Sequence, residues 1–343
     1  MMPLRALLST VHDPWFNLAT EDWIFREMDP SAQTIFLWQN DATVVLGRNQ
    51  NPWSECNLEK MEEDGVRLAR RTSGGGAVFH DLGNLCFTFL SPRDGYDRTA
   101  NSEIILSALR TFGIIAEPSG RNDLVIPSPD GPRKISGSAY RETRDRAFHH
   151  GTVLVDVDLS RLAEYLTPHA KKLQSKGRSS VRARVANLAE TEPTLTCPRL
   201  IEETFEAFFR HWGPLGGSRC EVERLNPAVL EEIPSLRQTY DRFASWDWRF
   251  GHAPRFQQQM TEYLSWGLVD VHVDCERGRI ERARVFSDAL DSGLVEALET
   301  SLVGHEFSRA GIRESGALAL ALAPERAAEI AEFELWFAAQ AEV

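Results

Sequence analysis

The chain has 343 residues, 42% of them hydrophobic and 26% charged, which is the composition of an ordinary globular protein. Its net charge of -12 argues against a general nucleic-acid-binding protein, which is normally basic. Five dispersed cysteines without a C-x-x-C pair argue against a disulfide framework or a zinc site. With no long apolar run, we expect a cytoplasmic protein without a membrane segment.

Helical and strand-like patterns alternate through the first two thirds of the chain. The spacing of apolar residues predicts a helix over 16–28. Two apolar runs, 34–38 and 43–47, flank a polar tetrapeptide and predict a β-hairpin. Pro52 stands near the start of a Glu/Lys-rich helix that is expected to end before Gly65. Further strands are predicted at 66–69, 85–90, 124–126, 134–140 and 151–157, and further helices at 101–112, at 159–166 and up to 209.

The six residues 249–254, Arg-Phe-Gly-His-Ala-Pro, are typical of a linker. Beyond them, strands are predicted at 268–274 and 280–286, followed by helices. The sequence therefore predicts an α+β fold. It has a large domain over 1–248, a linker over 249–254 and a small α+β C-terminal domain over 255–343.

A glycine-rich segment follows the strand predicted at 66–69. It reads Arg70-Arg71-Thr72-Ser73-Gly74-Gly75-Gly76-Ala77-Val78-Phe79-His80-Asp81. Glycine lets backbone N–H groups close around a ligand, and Arg71 offers a forked donor suited to phosphate or carboxylate. The segment predicts an anion-binding loop. A glycine-rich turn between strands with solvated arginines is the alternative.

Other polar residues open later strands. Lys134 is a candidate ligand for phosphate or carboxylate, and an exposed lysine at a strand edge is its alternative. His149 and His150 precede the strand predicted at 151–157; adjacent strand residues face opposite ways, so they are not expected to bind one metal together. Cys86 lies in an apolar run and is expected in the core.

Basic residues are concentrated at 133–146 and 171–184. Local positive charge in an acidic chain indicates an anionic ligand or partner at that place. A solvated charged loop is the alternative.

Taken together and in order, these motifs resemble the lipoate–protein ligase A family, a member of the biotin/lipoate protein ligase superfamily. The likeness covers essentially the whole chain. It is carried by the following stretches: 13–17 (Asp-Pro-Trp-Phe-Asn), 70–84, 120–123 (Gly-Arg-Asn-Asp), 134–139 (Lys-Ile-Ser-Gly-Ser-Ala), 149–152 (His-His-Gly-Thr) and 179–188.

The resemblance implies a biotin/lipoate-ligase-like catalytic domain with a large mixed sheet, binding ATP and lipoate. Such enzymes make lipoyl-AMP and then transfer the lipoyl group to a lysine. By residue matching, Lys134 is the catalytic residue and contacts both substrates, while Asp123 is a possible orienting residue. The adenylate-binding set is Arg71, Gly74, Gly75, Gly76, Ala77, Val78, Phe79 and Lys134, and the lipoate-binding set is Lys134, Gly75 and His150. Leu46 and Val78 are candidates for an apolar pocket around the dithiolane.

The resemblance also implies ATP and Mg²⁺, with the metal carried by phosphates rather than by dedicated protein ligands. The expected partners are lipoyl domains of 2-oxoacid dehydrogenase E2 subunits and the glycine cleavage H protein. The protein itself is expected to be a monomer that binds neither nucleic acid nor membrane. The basic 171–184 segment is expected to cover the adenylate or dock the partner. Two rivals remain: a lipoyl or octanoyl transferase that uses a preformed acyl donor, and a non-catalytic lipoate- or nucleotide-binding module.

Overall fold

The computed structural model describes residues 3–27, 29–120, 122–166, 185–250, 258–276 and 278–341. The predicted basic segment 171–184 therefore lies outside the described residues, as do Arg121 and residues 251–254 of the predicted linker. Within the described part of the chain, no helix is both long and apolar enough to cross a membrane.

A mixed eight-stranded sheet is the frame of the larger part of the molecule. Its strand order is β11-β1-β2-β6-β10-β9-β8-β7, parallel between β1 and its two neighbours and antiparallel elsewhere. The strands are β1 (Leu4–Ser9), β2 (Gln33–Trp38), β6 (Asn84–Pro92), β7 (Glu117–Ser119), β8 (Asp123–Ile126), β9 (Arg133–Glu142), β10 (Arg146–Leu154) and β11 (Val222–Leu225).

A three-stranded sheet packs beside it. Here β3 (Thr43–Leu46) lies between β4 (Arg67–Arg70) and β5 (Val78–His80), parallel to the first and antiparallel to the second. The predicted hairpin is therefore wrong, because β2 pairs in the large sheet and β3 pairs in the small one. Both strands are wholly buried, and apolar runs of this kind carry no local signal for their partner.

Helices cover both faces of the large sheet. One core packs α4 (Arg98–Arg110) and α6 (Cys197–Trp212) against one face, and a second packs α1 (Pro14–Glu27) and α8 (Pro234–Ala244) against the other. The remaining helices of this part are α2 (Pro52–Glu55), α3 (Leu58–Glu63), α5 (Leu159–Tyr165), α7 (Val229–Glu232) and α9 (Trp246–Phe250). The helix predicted after Pro52 is thus two short helices. Gly65 follows them with a positive φ of 66°.

The C-terminal part has its own core. An antiparallel sheet of β12 (Gln258–Leu264), β13 (Gly267–Glu276) and β14 (Arg279–Ser287) packs against α10 (Ser292–Leu302), α11 (Arg309–Leu322) and α12 (Ala327–Gln340). The predicted α+β fold with a large mixed sheet and a small C-terminal domain is confirmed. Arg249 and Phe250, assigned to the linker, end a helix; the boundaries at 248 and 255 stay a prediction.

Candidate active site

A cavity of about 460 Å³ lies between the large and small sheets. Strands β9 and β10 form one wall, and β5 with the glycine-rich loop forms another. Asp288 and Leu290, from the segment that follows β14, also line it. The C-terminal domain therefore contributes directly to the cavity wall.

The glycine-rich loop begins where β4 ends and is held against its surroundings on both sides. Gly75 has a φ of 95°, and its N–H donates to the Ala289 carbonyl at 2.8 Å. A Cβ at Gly74 would lie 2.2 Å from the same carbonyl oxygen, and one at Gly47 would lie 2.0 Å from the Gly75 oxygen. Only glycine allows these approaches, so the backbone of the loop packs directly against two neighbouring segments.

Arg71 supports the loop from beneath. Its guanidinium donates to the carbonyls of Gly74, Gly76 and Val45 and to the Ser73 hydroxyl, over distances of 2.7–3.2 Å. Burial lowers its pKa to about 10, so the side chain stays charged at neutral pH. Among the described residues these bonds use four of the five guanidinium N–H groups. The alternative of solvated arginines is wrong for this residue.

Arg70 is a second buried arginine, and it joins separate segments. It donates to the carbonyls of Gly47, Arg48, Gln50, Trp248 and Arg249, and the Trp248 indole N–H donates back to the Arg70 carbonyl at 2.9 Å. Desolvation lowers the pKa of Arg70 to about 10. Arg70 therefore fixes the end of α9 to the root of the glycine-rich loop.

Lys134 lies at the cavity and pairs with Asp123, Nζ to Oδ1, at 2.8 Å. The pairing of β8 with β9 shifts here: Leu124 is opposite Ser136, but Val125 is opposite Lys134. Over this step β9 therefore contains one more residue than β8, Ile135, which is a β-bulge. The bulge places Lys134 on the same face of the strand as Gly137. A Cβ at Gly137 would lie 2.7 Å from Lys134 Nζ. The lysine thus extends over a glycine into the cavity. Its strand β9 lies between β10 and β8, so the predicted alternative of a strand-edge position is wrong, although the side chain is 37% exposed.

His150 lies inside β10, not before a strand, because β10 begins at Arg146. Its Nδ1 lies 2.8 Å from a Glu21 carboxylate oxygen, and its Nε2 lies 2.7 Å from the Ser73 hydroxyl. His149 faces the opposite side of the strand, edge-to-face with Phe87, and burial lowers its pKa to about 3. The two histidines therefore occupy opposite faces, as predicted.

Apolar side chains line another part of the cavity. They include Trp38, Val45 and Cys86. Cys86 is 1% exposed, as predicted for a core residue, and burial raises the pKa of its thiol. Burial also lowers the pKa of the neighbouring His80 to about 3, so the imidazole is neutral. This region can accept a hydrophobic tail.

The structure brings most of the predicted residues together. The cavity is lined by Arg71, Gly75, Gly76, Ala77, Val78, Phe79, Lys134 and His150. Gly74 instead faces Ala289, Asp123 stands beside Lys134, and Leu46 is packed in the core under the small sheet. The basic segment itself is not described, but Leu166 and Val185, on either side of the gap, both line the cavity.

Sequence reasoning missed several cavity residues and their supports. Trp38, Thr152, Asp288 and Leu290 line the cavity, and Glu21 and Ser73 hold His150. The one available signal was a carboxylate on the buried side of the first helix: Glu21 stands between Ala19 and Ile24, both in the core. Among the described residues, no group of three or more His, Cys, Asp or Glu side chains is placed to hold a metal ion.

Three solved structures that are similar to this chain are LipL1 and two lipoate protein ligases. LipL1 of P. falciparum, in complex with lipoate, is 30% identical with a TM-score of 0.80, over 96% of this chain and 100% of that one. A bipartite lipoate protein ligase of Thermoplasma acidophilum, solved with its E2 lipoyl domain, is 26% identical with a TM-score of 0.62, over 74% and 100%. A lipoate-protein ligase A bound with ATP is 26% identical with a TM-score of 0.59, over 73% and 99%.

Two protein-family models match successive parts of the chain. Residues 13–209 match the lipoyl protein ligase A/B catalytic domain, and residues 253–324 match the bacterial lipoate protein ligase C-terminus. The first model alone spans more than half of the chain. The chain therefore belongs to the lipoyl protein ligase A/B family and carries the C-terminal domain of bacterial lipoate protein ligases.

Proposed function

We propose that this protein is an ATP-dependent lipoate–protein ligase that carries out activation and transfer in one chain. The observation that carries the proposal is a single cavity with a lysine and a glycine-rich loop on some walls and apolar side chains on others. That combination suits a molecule with an anionic head and an apolar tail. Similar proteins with bound lipoate and with bound ATP support the same reading.

Lys134 is the proposed catalytic residue. Attack of the lipoate carboxylate on the α-phosphate of ATP brings two anions together, and a cation fixed between them lowers the barrier. Its Nζ lies 2.8 Å from Asp123 Oδ1, so the two side chains form an ion pair. Asp123 is therefore proposed to orient Lys134 before the substrates arrive.

The nucleotide is proposed to lie along the glycine-rich loop, against the residues from Gly74 to Phe79. Arg71 acts here mainly by holding three carbonyls of the surrounding backbone. When bound, Mg²⁺ would offset the negative charge of the phosphates, a role that needs few protein ligands. In this proposal Asp123 is paired with Lys134 and is not a ligand of Mg²⁺.

Lipoate is proposed to contact Lys134, Gly75 and His150. Both ring nitrogens of His150 are already engaged, by Glu21 and by Ser73. His150 therefore meets the ligand through ring carbons, as part of the apolar wall, and the carboxylate is left to Lys134. Val78, which also lines the cavity, belongs to the same wall.

In the second step the amine of an acceptor lysine attacks the acyl carbon of lipoyl-AMP, and AMP leaves. Positioning alone supplies most of the rate here, since effective molarity contributes ~7–11 kcal/mol. We propose lipoyl domains of 2-oxoacid dehydrogenase E2 subunits and the glycine cleavage H protein as acceptors. The Thermoplasma relative solved with an E2 lipoyl domain supports the first. We further propose a cytoplasmic monomer.

The test uses purified protein with ATP, Mg²⁺ and lipoate, first without and then with a lipoyl domain. We expect pyrophosphate in the absence of acceptor and a labelled lipoyl domain in its presence. Lys134→Ala should release no pyrophosphate. The matched control is Lys60→Ala, which removes a surface lysine also paired with an aspartate, at 3.0 Å, and should be fully active.

Other outcomes of this experiment would identify a different function. Labelling from synthetic lipoyl-AMP or octanoyl carrier protein without pyrophosphate from ATP would make the protein a transferase. Ligand binding with neither reaction would make it a binding module. Either result would overturn the proposed ligase activity.

A further inference from the structure

A chain of hydrogen bonds runs behind the cavity wall and ends at the glycine-rich loop. Glu21 Oε1 accepts from the Thr88 hydroxyl at 2.5 Å and lies 2.8 Å from His150 Nδ1. His150 Nε2 lies 2.7 Å from the Ser73 hydroxyl, whose oxygen accepts from Arg71 Nε at 3.2 Å. All five side chains are buried, with at most 8% exposed. The chain joins α1, β6 and β10 to the loop.

Chemistry gives this chain one direction. A carboxylate only accepts hydrogen bonds, so His150 carries a proton on Nδ1, toward Glu21. With that proton alone on the ring, Nε2 accepts from the Ser73 O–H. The Ser73 oxygen in turn faces the Arg71 N–H, so donors and acceptors alternate without conflict from Glu21 to the loop.

Glu21 also supplies charge. Arg71 is a buried cation whose direct partners are neutral carbonyls and a hydroxyl, and the negative charge of Glu21 favours its charged form. Buried charges are costly without an opposite charge nearby. Removing Glu21's charge would therefore weaken Arg71's hold on the carbonyls of Gly74 and Gly76.

We propose that Glu21 is a positioning residue for the glycine-rich loop, acting through His150 and Ser73 on Arg71, and that it thereby controls ATP affinity. The side chain does not line the cavity and touches no substrate. The part that concerns ATP rests on the proposed function; the part that concerns loop order does not.

The test is a double-mutant cycle of Glu21→Gln and Ser73→Ala in the full-length protein. Glutamine keeps the acceptor oxygen but loses the charge. Amide hydrogen exchange of residues 72–79, without substrates, should be about tenfold faster in each single variant, the effect of losing one charge-assisted hydrogen bond. The KM for ATP should rise by about the same factor, with a smaller change in kcat. The control is Glu27→Gln, at the exposed end of the same helix, which should match the wild type.

The double variant separates a chain from independent structural effects. Once Ser73 is removed, Glu21→Gln should change exchange and the KM for ATP by no more than about twofold. Additive effects, or wild-type exchange in Glu21→Gln, would overturn the proposal. Should Glu21→Gln fail to fold, Ser73→Ala alone must still speed loop exchange and raise the KM for ATP.

The two proposals fail in different ways. If the wild type releases no pyrophosphate but loop exchange follows the predicted cycle, the ligase activity is wrong and the positioning role stands. If pyrophosphate is released and the two substitutions act independently, the positioning role alone is wrong.

Discussion

Replacing Gly75 by alanine should lower both the stability of the fold and the activity of the molecules that remain folded. With φ at 95°, any L-residue costs ~1–2 kcal/mol in backbone strain at this position. The new Cβ would lie 2.9 Å from Arg71 Nη2 and 3.3 Å from the Leu290 Cδ2 atom, so the guanidinium must move. Weakening its bonds to the loop adds about 1–3 kcal/mol, giving roughly 2–5 kcal/mol in total.

The consequence for activity follows from where the strain is placed. A shift of about 1 Å in the loop that we propose holds the nucleotide is enough to lower the rate about 100-fold. We expect that loss in the rate of pyrophosphate release, measured per folded molecule, with urea unfolding run on the same preparation.

Gly131 provides the matched control. Its φ is 101°, and nothing lies within 4 Å of the position that a Cβ would take. Gly131→Ala should therefore cost about the same backbone strain, ~1–2 kcal/mol, with no loss of activity. Equal activity of the two variants per folded molecule would refute the role given to Gly75.

Three further predictions test other contacts. Gly137→Ala places a Cβ 2.7 Å from Lys134 Nζ, so the lysine must move and pyrophosphate release should fall at least about tenfold. Because residue 137 lies on an extended strand, the free energy of unfolding should change by less than ~0.5 kcal/mol. Pyrophosphate release at the wild-type rate would contradict this prediction. Gly74→Ala places a Cβ 2.2 Å from the Ala289 oxygen and should speed amide exchange at residues 287–291, whereas unchanged exchange would show that the two segments do not pack in solution. His149 has a pKa lowered from 6.5 to about 3 by burial, so between these values the unfolded state binds the extra proton and stability falls as pH falls, by ~1.4 kcal/mol per pH unit for this group. His149→Phe should remove that slope in urea unfolding between pH 6 and pH 4, about one proton's worth, and an unchanged slope would contradict the assignment.

Local sequence patterns predicted the elements whose partners lie nearby and the loop whose composition is unusual. The strand and turn around Lys134 and the glycine run could be located in this way. The placement of β2 and β3 in two different sheets could not be predicted, because both strands are wholly buried and their partners come from other parts of the chain.

In the candidate site, too, some residues could be predicted from the sequence, whereas the contacts that position them could not. Arg71 was expected to hold an anion, but its position under the loop depends on carbonyls that only the folded backbone brings together. Glu21 and His150 are 129 residues apart in sequence, and no spacing rule connects them. Leu290 reaches the cavity from a separate domain. The register shift that turns Lys134 toward Gly137 leaves no mark in the sequence.

We propose that this site joins lipoate to the α-phosphate of ATP before transfer. Lipoate carrying ¹⁸O in both carboxyl oxygens tests it directly, in the presence of unlabelled ATP, Mg²⁺ and a lipoyl domain. Attack of the carboxylate on phosphorus, followed by cleavage of the acyl C–O bond, leaves one carboxyl oxygen on AMP. We predict AMP with one ¹⁸O for each lipoyl domain modified. Modified domain with unlabelled AMP, or with none, would contradict the account.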